Sequence, residues 1–240
     1  MRATDAAQAA IRRSDFGSGA ELAEALADAV AASLAAAIAT RGQATLAVSG
    51  GNTPKAFFAA LSKREIEWPK VTVTLVDERM VGPDNERSNQ RLASLQLLQN
   101  RAAEAGFVPL YGKGSDAAQM ARIAAGRIDA LALPFDVVVL GMGTDGHTAS
   151  FFPGGTTLAA VTDPECSQSV MPIEAPGAGE PRLTLTLPRI VEAGLIVLHI
   201  EGDEKQAVLA RALGNGPIAE MPVRAVLQHA KSPVEIYWAP

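Results

Sequence analysis

Cysteine occurs once in this 240-residue chain, as Cys166, so an internal disulfide framework is impossible and the composition suits a reducing compartment. Cys166 is expected to be a bystander. Runs of positive charge are missing too: the net charge is −5, the pI is about 5.3, and only Arg12-Arg13 and Lys63-Arg64 place basic residues side by side. A nucleic-acid footprint is therefore not expected. No basic region followed by an apolar run opens the chain, so a secretory signal is not expected either. The alanine-rich stretch 20–40 carries Glu21, Glu24 and Asp28 in its first half, leaving fewer uncharged residues than the roughly 20 that a membrane span needs. It reads as a helix of a soluble, cytoplasmic protein with no membrane partner.

What is present is a large apolar fraction, 48% against 20% charged residues, enough to bury a sizeable core. Its pattern alternates. Leu22, Leu26, Val30, Leu34 and Ile38 recur every four residues and Gly42 supplies a stop, which predicts a helix. Ala44 to Val48 is a short buried strand, Lys55 to Leu61 a helix with Pro54 in its first turn, and Val71 to Val76 a strand ending in three charges. Ser88-Asn89-Gln90-Arg91 opens a helix with Leu92, Leu95 and Leu98 as its stripe, Phe107 to Leu110 is a strand, and Asp116 to Leu131 a helix. After an irregular stretch at 156–180, expected to be functional or mobile and a candidate cover for a site, Arg182 to Pro188 alternates as a half-buried strand. Leu195 to Ile200, a helix after Gly202, and Val234 to Trp238 complete the series. Such alternation predicts an α/β fold with a mostly parallel sheet between helices, in a single domain spanning 1–240. Residues 1–19 read either as an edge strand or as a loosely held arm.

The stretch from Asp136 to Gly154, DVVVLGMGTDGHTASFFPG, carries the strongest chemical signal. Val137 to Leu140 is an apolar, β-branched run of the kind buried on both faces of a parallel sheet. Gly141, Gly143 and Gly146 then let the backbone turn sharply and approach a ligand. Asp145 and His147 ride on that turn, at the strand end where open α/β sheets place their ligands. A plain tight turn whose imidazole caps a neighbouring helix is the other reading. The look-alike of a dinucleotide fingerprint at 141–146 is rejected, because several βα units precede it and Phe151-Phe152-Pro153 breaks the helix that should follow.

Three further places point to an anion. Ser49-Gly50-Gly51-Asn52-Thr53-Pro54 joins a strand to a helix N-terminus, where backbone N–H groups and the helix dipole favour phosphate. It lacks the Gly-Lys-Ser/Thr ending of a Walker A loop, and an ordinary capped turn also fits. Asp77-Glu78-Arg79 is costly to bury unless the charges pair with each other or with a ligand, although a solvated turn is equally open at this point. Lys205 falls in the first turn of a helix, where a cation opposes the dipole unless an anion is bound, although a solvated lysine is equally open at this point.

Together these segments resemble the 6-phosphogluconolactonases, within the larger group that includes glucosamine-6-phosphate deaminase. The matching pieces are SGGNTP at 49–54, VDER at 76–79 with Asn85 and Ser88-Asn89, GMGTDGHTASFFPG at 141–154, RLTLTLP at 182–188 and GDEK at 202–205, in the family's order. The resemblance implies a Rossmann-like, deaminase-like α/β fold, no metal and no cofactor, and a sugar-phosphate lactone as substrate, handled by a monomer or small homo-oligomer. It implies that Ser49, Gly50, Gly51 and Thr53 cradle a phosphate with Arg182 and Lys205, and that His147 is the general base with Asp145 orienting it. Arg79 would stabilise charge on the carbonyl oxygen and Asn85 would contact sugar hydroxyls. In the deaminase branch an Asn-Glu pair follows the DGH motif and an aromatic residue replaces Arg79; here Phe151-Phe152 and Arg79 stand instead. A sugar-phosphate sensor of the same fold would need a DNA-binding segment, and no basic helix-turn-helix precedes residue 20.

Overall fold

A computed structural model describes residues 10–240. Within it, five-residue β1 (Ile11–Asp15) precedes helix α1 (Gly19–Arg41), which Ser18 caps through a hydrogen bond from Glu21 N and Gly42 ends in the left-handed conformation at φ 75°. Of the two readings left open for residues 1–19, the edge strand is present at 11–15; residues 1–9 lie outside the described residues. Strand β2 (Ala44–Val48), helix α2 (Pro54–Leu61) and strand β3 (Val71–Leu75) follow as the sequence predicts. After β3 come β4 (Asp77–Arg79), α3 (Asn89–Gln96), β5 (Gly106–Val108), α4 (Ala117–Asp129) and β6 (Val137–Leu140). The remainder is α5 (Leu158–Val161), β7 (Val170–Ile173), β8 (Arg182–Leu185), α6 (Leu187–Val191), β9 (Leu195–Glu201), α7 (Asp203–Leu213), α8 (Val223–His229) and β10 (Val234–Ala239).

Seven strands form one wholly parallel sheet in the order β1-β10-β9-β6-β2-β3-β5, with β6 in the middle. Every residue of β2 and β6 is buried, which requires cover on both faces and explains their unbroken apolar runs. From β2 the chain moves out through α2 to β3, whereas β9 lies on the other side of β6. The loops leaving β2 and β6 therefore diverge and open a crevice at their carboxyl ends. Asp136 fixes the base of β6: its carboxylate accepts from Thr45 N at 2.8 Å and pairs with Arg41 at the end of α1. By length and hydropathy α1 is the one described helix that could cross a membrane, but eight of its residues, among them Leu22, Leu26, Val30 and Leu34, are buried, and it packs against α2, β2 and β10.

Four expectations need correcting. Asp77 to Arg79 is neither a solvated turn nor the tail of β3; after Val76 the chain leaves the parallel sheet and pairs antiparallel with β8 in a second sheet, ordered β4-β8-β7. Strand β8 is buried along its whole length rather than on one face, because its polar side chains, Arg182 and Thr184, point into a packed polar interior. The stripe expected for α3 holds only in part: Leu92 and Leu98 pack partly buried against the core beside buried Asn89, Ala93 and Leu97, while Leu95 is 53% exposed. Within 156–180 lie α5 and β7, whose Leu158, Val161, Val170 and Ile173 are buried, so this stretch contributes to the small sheet and to the core and does not line the crevice.

Candidate active site

The crevice is a cavity of about 350 Å³ at the carboxyl ends of β2, β6 and β9, closed on one side by β4 and β8. Each wall follows from local sequence. After β2, Ser49 N donates to Val139 O at 3.0 Å, and the Ser49 hydroxyl accepts from Gly141 N at 3.2 Å, so the two loops are stitched together. Gly51 holds φ 98°, a conformation that disfavours any side chain. A Cβ on Gly50 would overlap the amide of Asn89. Thr53, at the start of α2, makes no side-chain capping bond. Thr53 and Pro54 bring the N-terminus of α2 to the wall of the crevice.

On the other loop, Gly143 N donates to His147 O at 2.8 Å and Gly146 turns the chain at φ 80°. That turn brings Asp145 Oδ1 to 2.6 Å from His147 Nδ1 and 3.1 Å from His147 N. A carboxylate only accepts, so Nδ1 carries a proton, and in the neutral form of the ring the lone pair lies on Nε2. Burial pushes the Asp145 carboxyl up, but its bonds and charge interaction with His147 reverse the shift and hold it below the ordinary carboxylate range. The ring of Phe152 stacks on the imidazole with centroids 4.2 Å apart and lies 5.4 Å from the Arg182 guanidinium carbon. One apolar ring therefore orients an imidazole and a cation.

The small sheet contributes opposing charges. In its register Arg79 faces Arg182. Like charges at such positions destabilise a strand pair. Arg182 is buried, donates to Ala178 O at 2.6 Å and sits 3.6 Å from Asp77; burial and the Arg79 charge pull its pKa down, though a guanidinium stays protonated. Asp77 in turn accepts from Ser150 Oγ at 2.6 Å, and its backbone carbonyl accepts from Asn89 Nδ2 at 2.9 Å. Glu78 faces away from the crevice, fully buried, and accepts from Arg79 N, Ser88 Oγ, Asn89 N and Gln90 N. It anchors the start of α3 to β4. Burial raises its pKa despite these four donors. Buried atoms without a hydrogen-bond partner include Arg79 Nε, Arg182 Nε and Asn89 Oδ1, two donors and an acceptor on residues that line the crevice. Lys205, in the first turn of α7, donates to Met142 O, and burial lowers its pKa against the charge of Asp145. Among the described residues no three His, Cys, Asp or Glu side chains gather as metal ligands.

Nine of the ten site residues expected from sequence are thus in or directly against the crevice: Ser49, Gly50, Gly51, Thr53, Arg79, His147, Arg182 and Lys205 line it, and Asp145 touches His147. Asn85 is not. It is exposed and spends its side-chain oxygen on Arg87 N at 2.9 Å in a loop turn. Asn89, buried four residues later, lines the crevice instead. Asp77, one of the three charges at the predicted strand end, also lines it, as does His199, which was not singled out. His199 is buried on β9 and holds Glu201 at 2.9 Å, which no motif announces; an i, i+2 pair on one strand face was the available signal.

The family model described as glucosamine-6-phosphate isomerases/6-phosphogluconolactonase matches residues 17–238. The chain belongs to that family. A curated 6-phosphogluconolactonase from Rhizobium meliloti (strain 1021) is 61% identical over 219 residues, covering 91% of this chain and 94% of the relative. A crystal structure of a 6-phosphogluconolactonase from Shewanella baltica OS155 superposes with TM-score 0.93 at 39% identity, covering 96% of this chain and 98% of the other. A monomeric glucosamine-6-phosphate deaminase, at 18% identity and TM-score 0.76, shares the fold.

Proposed function

We propose that this member of the family hydrolyses 6-phospho-D-glucono-1,5-lactone to 6-phosphogluconate in the cytoplasm. The observation that carries the mechanism is the 2.6 Å contact between Nδ1 of His147, which lines the crevice, and Asp145; it fixes the ring and makes Nε2 the nitrogen to accept a proton. In this reading Nε2 takes a proton from water as the water oxygen attacks the lactone carbonyl. The tetrahedral oxyanion is stabilised by Arg79; collapse then breaks the bond to the ring oxygen, and the imidazolium returns the proton to that oxygen. The phosphate rests on the Ser49–Thr53 loop with Lys205 and Arg182, which would satisfy the like-charge pair and the open helix N-terminus together. Phe152 favours the lactonase over the deaminase, since a phenyl ring against the imidazole cannot shuttle the protons of sugar-ring opening.

The test follows freshly generated lactone with wild-type protein, His147→Ala and no protein, with glucosamine 6-phosphate in parallel. A wild-type rate well above background, falling by about 10²- to 10⁴-fold in His147→Ala, is the expected result. Background rates with intact sugar-phosphate binding would make the protein a sensor, and ammonia release would make it a deaminase.

A further inference from the structure

A second cavity, about 340 Å³, adjoins the first and shares Gly51, Asn52, Arg79 and Asn89 with it. Its charge is at odds with the rest of the molecule. In a chain with 21 basic and 26 acidic residues, this cavity is lined by Lys55, Arg79, Arg87 and Arg91 against Glu86 alone. Glu180, 3.3 Å from Arg87, offsets one cation from outside the lining. Among the described residues the side chains of Lys55 and Arg91 have no ion-pair or hydrogen-bond partner. Both stand in the first turns of their helices, α2 and α3, where a cation opposes the dipole and neither helix carries an acid. The wall common to both cavities carries buried Asn89, with a carbonyl oxygen that lacks a donor, and the unpartnered Nε of Arg79. Cations suit a phosphate, and an amide oxygen suits a hydroxyl.

We infer that this cavity is a capture subsite for sugar-phosphate dianions, from which the substrate passes Arg79 into the active site. The inference rests on the lactonase reading. A net negative protein repels a dianion at long range, so a cationic cleft beside the site raises the association rate, by about 10- to 10³-fold where such fields are focused. The lactone also hydrolyses spontaneously, so slow capture would leave the enzyme little to do.

The experiment measures kcat and kcat/KM on the lactone from low to high salt for wild type, Lys55→Gln/Arg91→Gln, and Lys63→Gln/Arg122→Gln. The last removes the same charge from exposed positions outside both cavities. The first double variant is expected to lose about tenfold in kcat/KM at low ionic strength, with kcat within about twofold. The gap should close as the Debye length shrinks from about 30 Å at 0.01 M to about 3 Å at 1 M. The control variant should track wild type. Equal salt slopes for all three proteins, with a wild-type rate above background, overturn the capture subsite alone; a wild-type rate at background removes the lactonase reading and this inference with it.

Discussion

Arg79 and Arg182 stand directly opposite each other across β4 and β8, a like-charge pair held in place by Asp77 on one side and the Arg87 carbonyl on the other. The arrangement opposes folding and favours an anion. Arg79→Gln should therefore stabilise the ligand-free protein by up to about 1 kcal/mol in urea denaturation while lowering kcat by about 10²-fold. A variant both less active and less stable would show that Arg79 is chiefly a structural residue.

Gly143 lies where any Cβ would fall on the imidazole of His147 and the carboxylate of Asp145. Gly143→Ala must push the ring aside, and a displacement of about 1 Å costs roughly 10²-fold in rate. KM should change little if, as proposed, the phosphate rests on the Ser49–Thr53 loop, which the substitution leaves untouched. Unaltered kcat in a folded Gly143→Ala protein would contradict the placement of the base.

Burial depresses the Lys205 pKa, so the free protein loses that proton at a lower pH than an unfolded chain does. Between the depressed value and the ordinary lysine value of about 10.4, the unfolded state binds more protons and stability rises with pH. A phosphate reverses the preference by favouring the ammonium. Affinity for 6-phosphogluconate should fall as pH rises through the depressed value, with proton uptake on binding, read by calorimetry in buffers of different ionisation enthalpy. Lys205→Met should bind more weakly and lose the pH dependence; if it keeps the alkaline decline, another group is responsible.

Glu78 accepts four hydrogen bonds while fully buried. Glutamine presents an NH₂ group to donors at one of the two oxygen positions, so Glu78→Gln should cost about 3 kcal/mol. Because burial raises the carboxyl pKa, the folded state holds its proton longer than the unfolded one. Wild-type stability should fall as pH rises from about 4.3 through the raised value, and the variant should lack that decline. Denaturant midpoints measured across this range decide it.

The middle of the parallel sheet was legible because β2, β6 and β9 are apolar runs that lead into glycine, and the Asp145–His147 contact was legible because the two share one short turn. The small sheet was not. Nothing in Val71 to Arg79 marks Val76 as the residue at which the chain changes partners, since both halves read as strand; that event depends on β8, about a hundred residues away. Asn85 was preferred for the site because it follows VDER in a loop. Asn89 was overlooked as a site residue because it opens a helix, and only the tertiary bond from its amide to the Asp77 carbonyl holds it at the crevice. Leu95 leaves the expected stripe of α3 for a related reason: Glu78 holds that helix by its first residues, and Leu95 faces outward.

Val76 donates to Val48 O at 3.0 Å on the large sheet and accepts from Leu185 N at 2.8 Å on the small one. The Ser49–Thr53 loop and His147 hang from the first sheet, and the two arginines from the second. Opposite walls of the crevice thus belong to separate sheets that both bond to one residue, so the tilt between the sheets sets the distance from His147 to the arginines. A change at Val76 that tilts them by a few degrees would alter that distance without altering any group that lines the crevice.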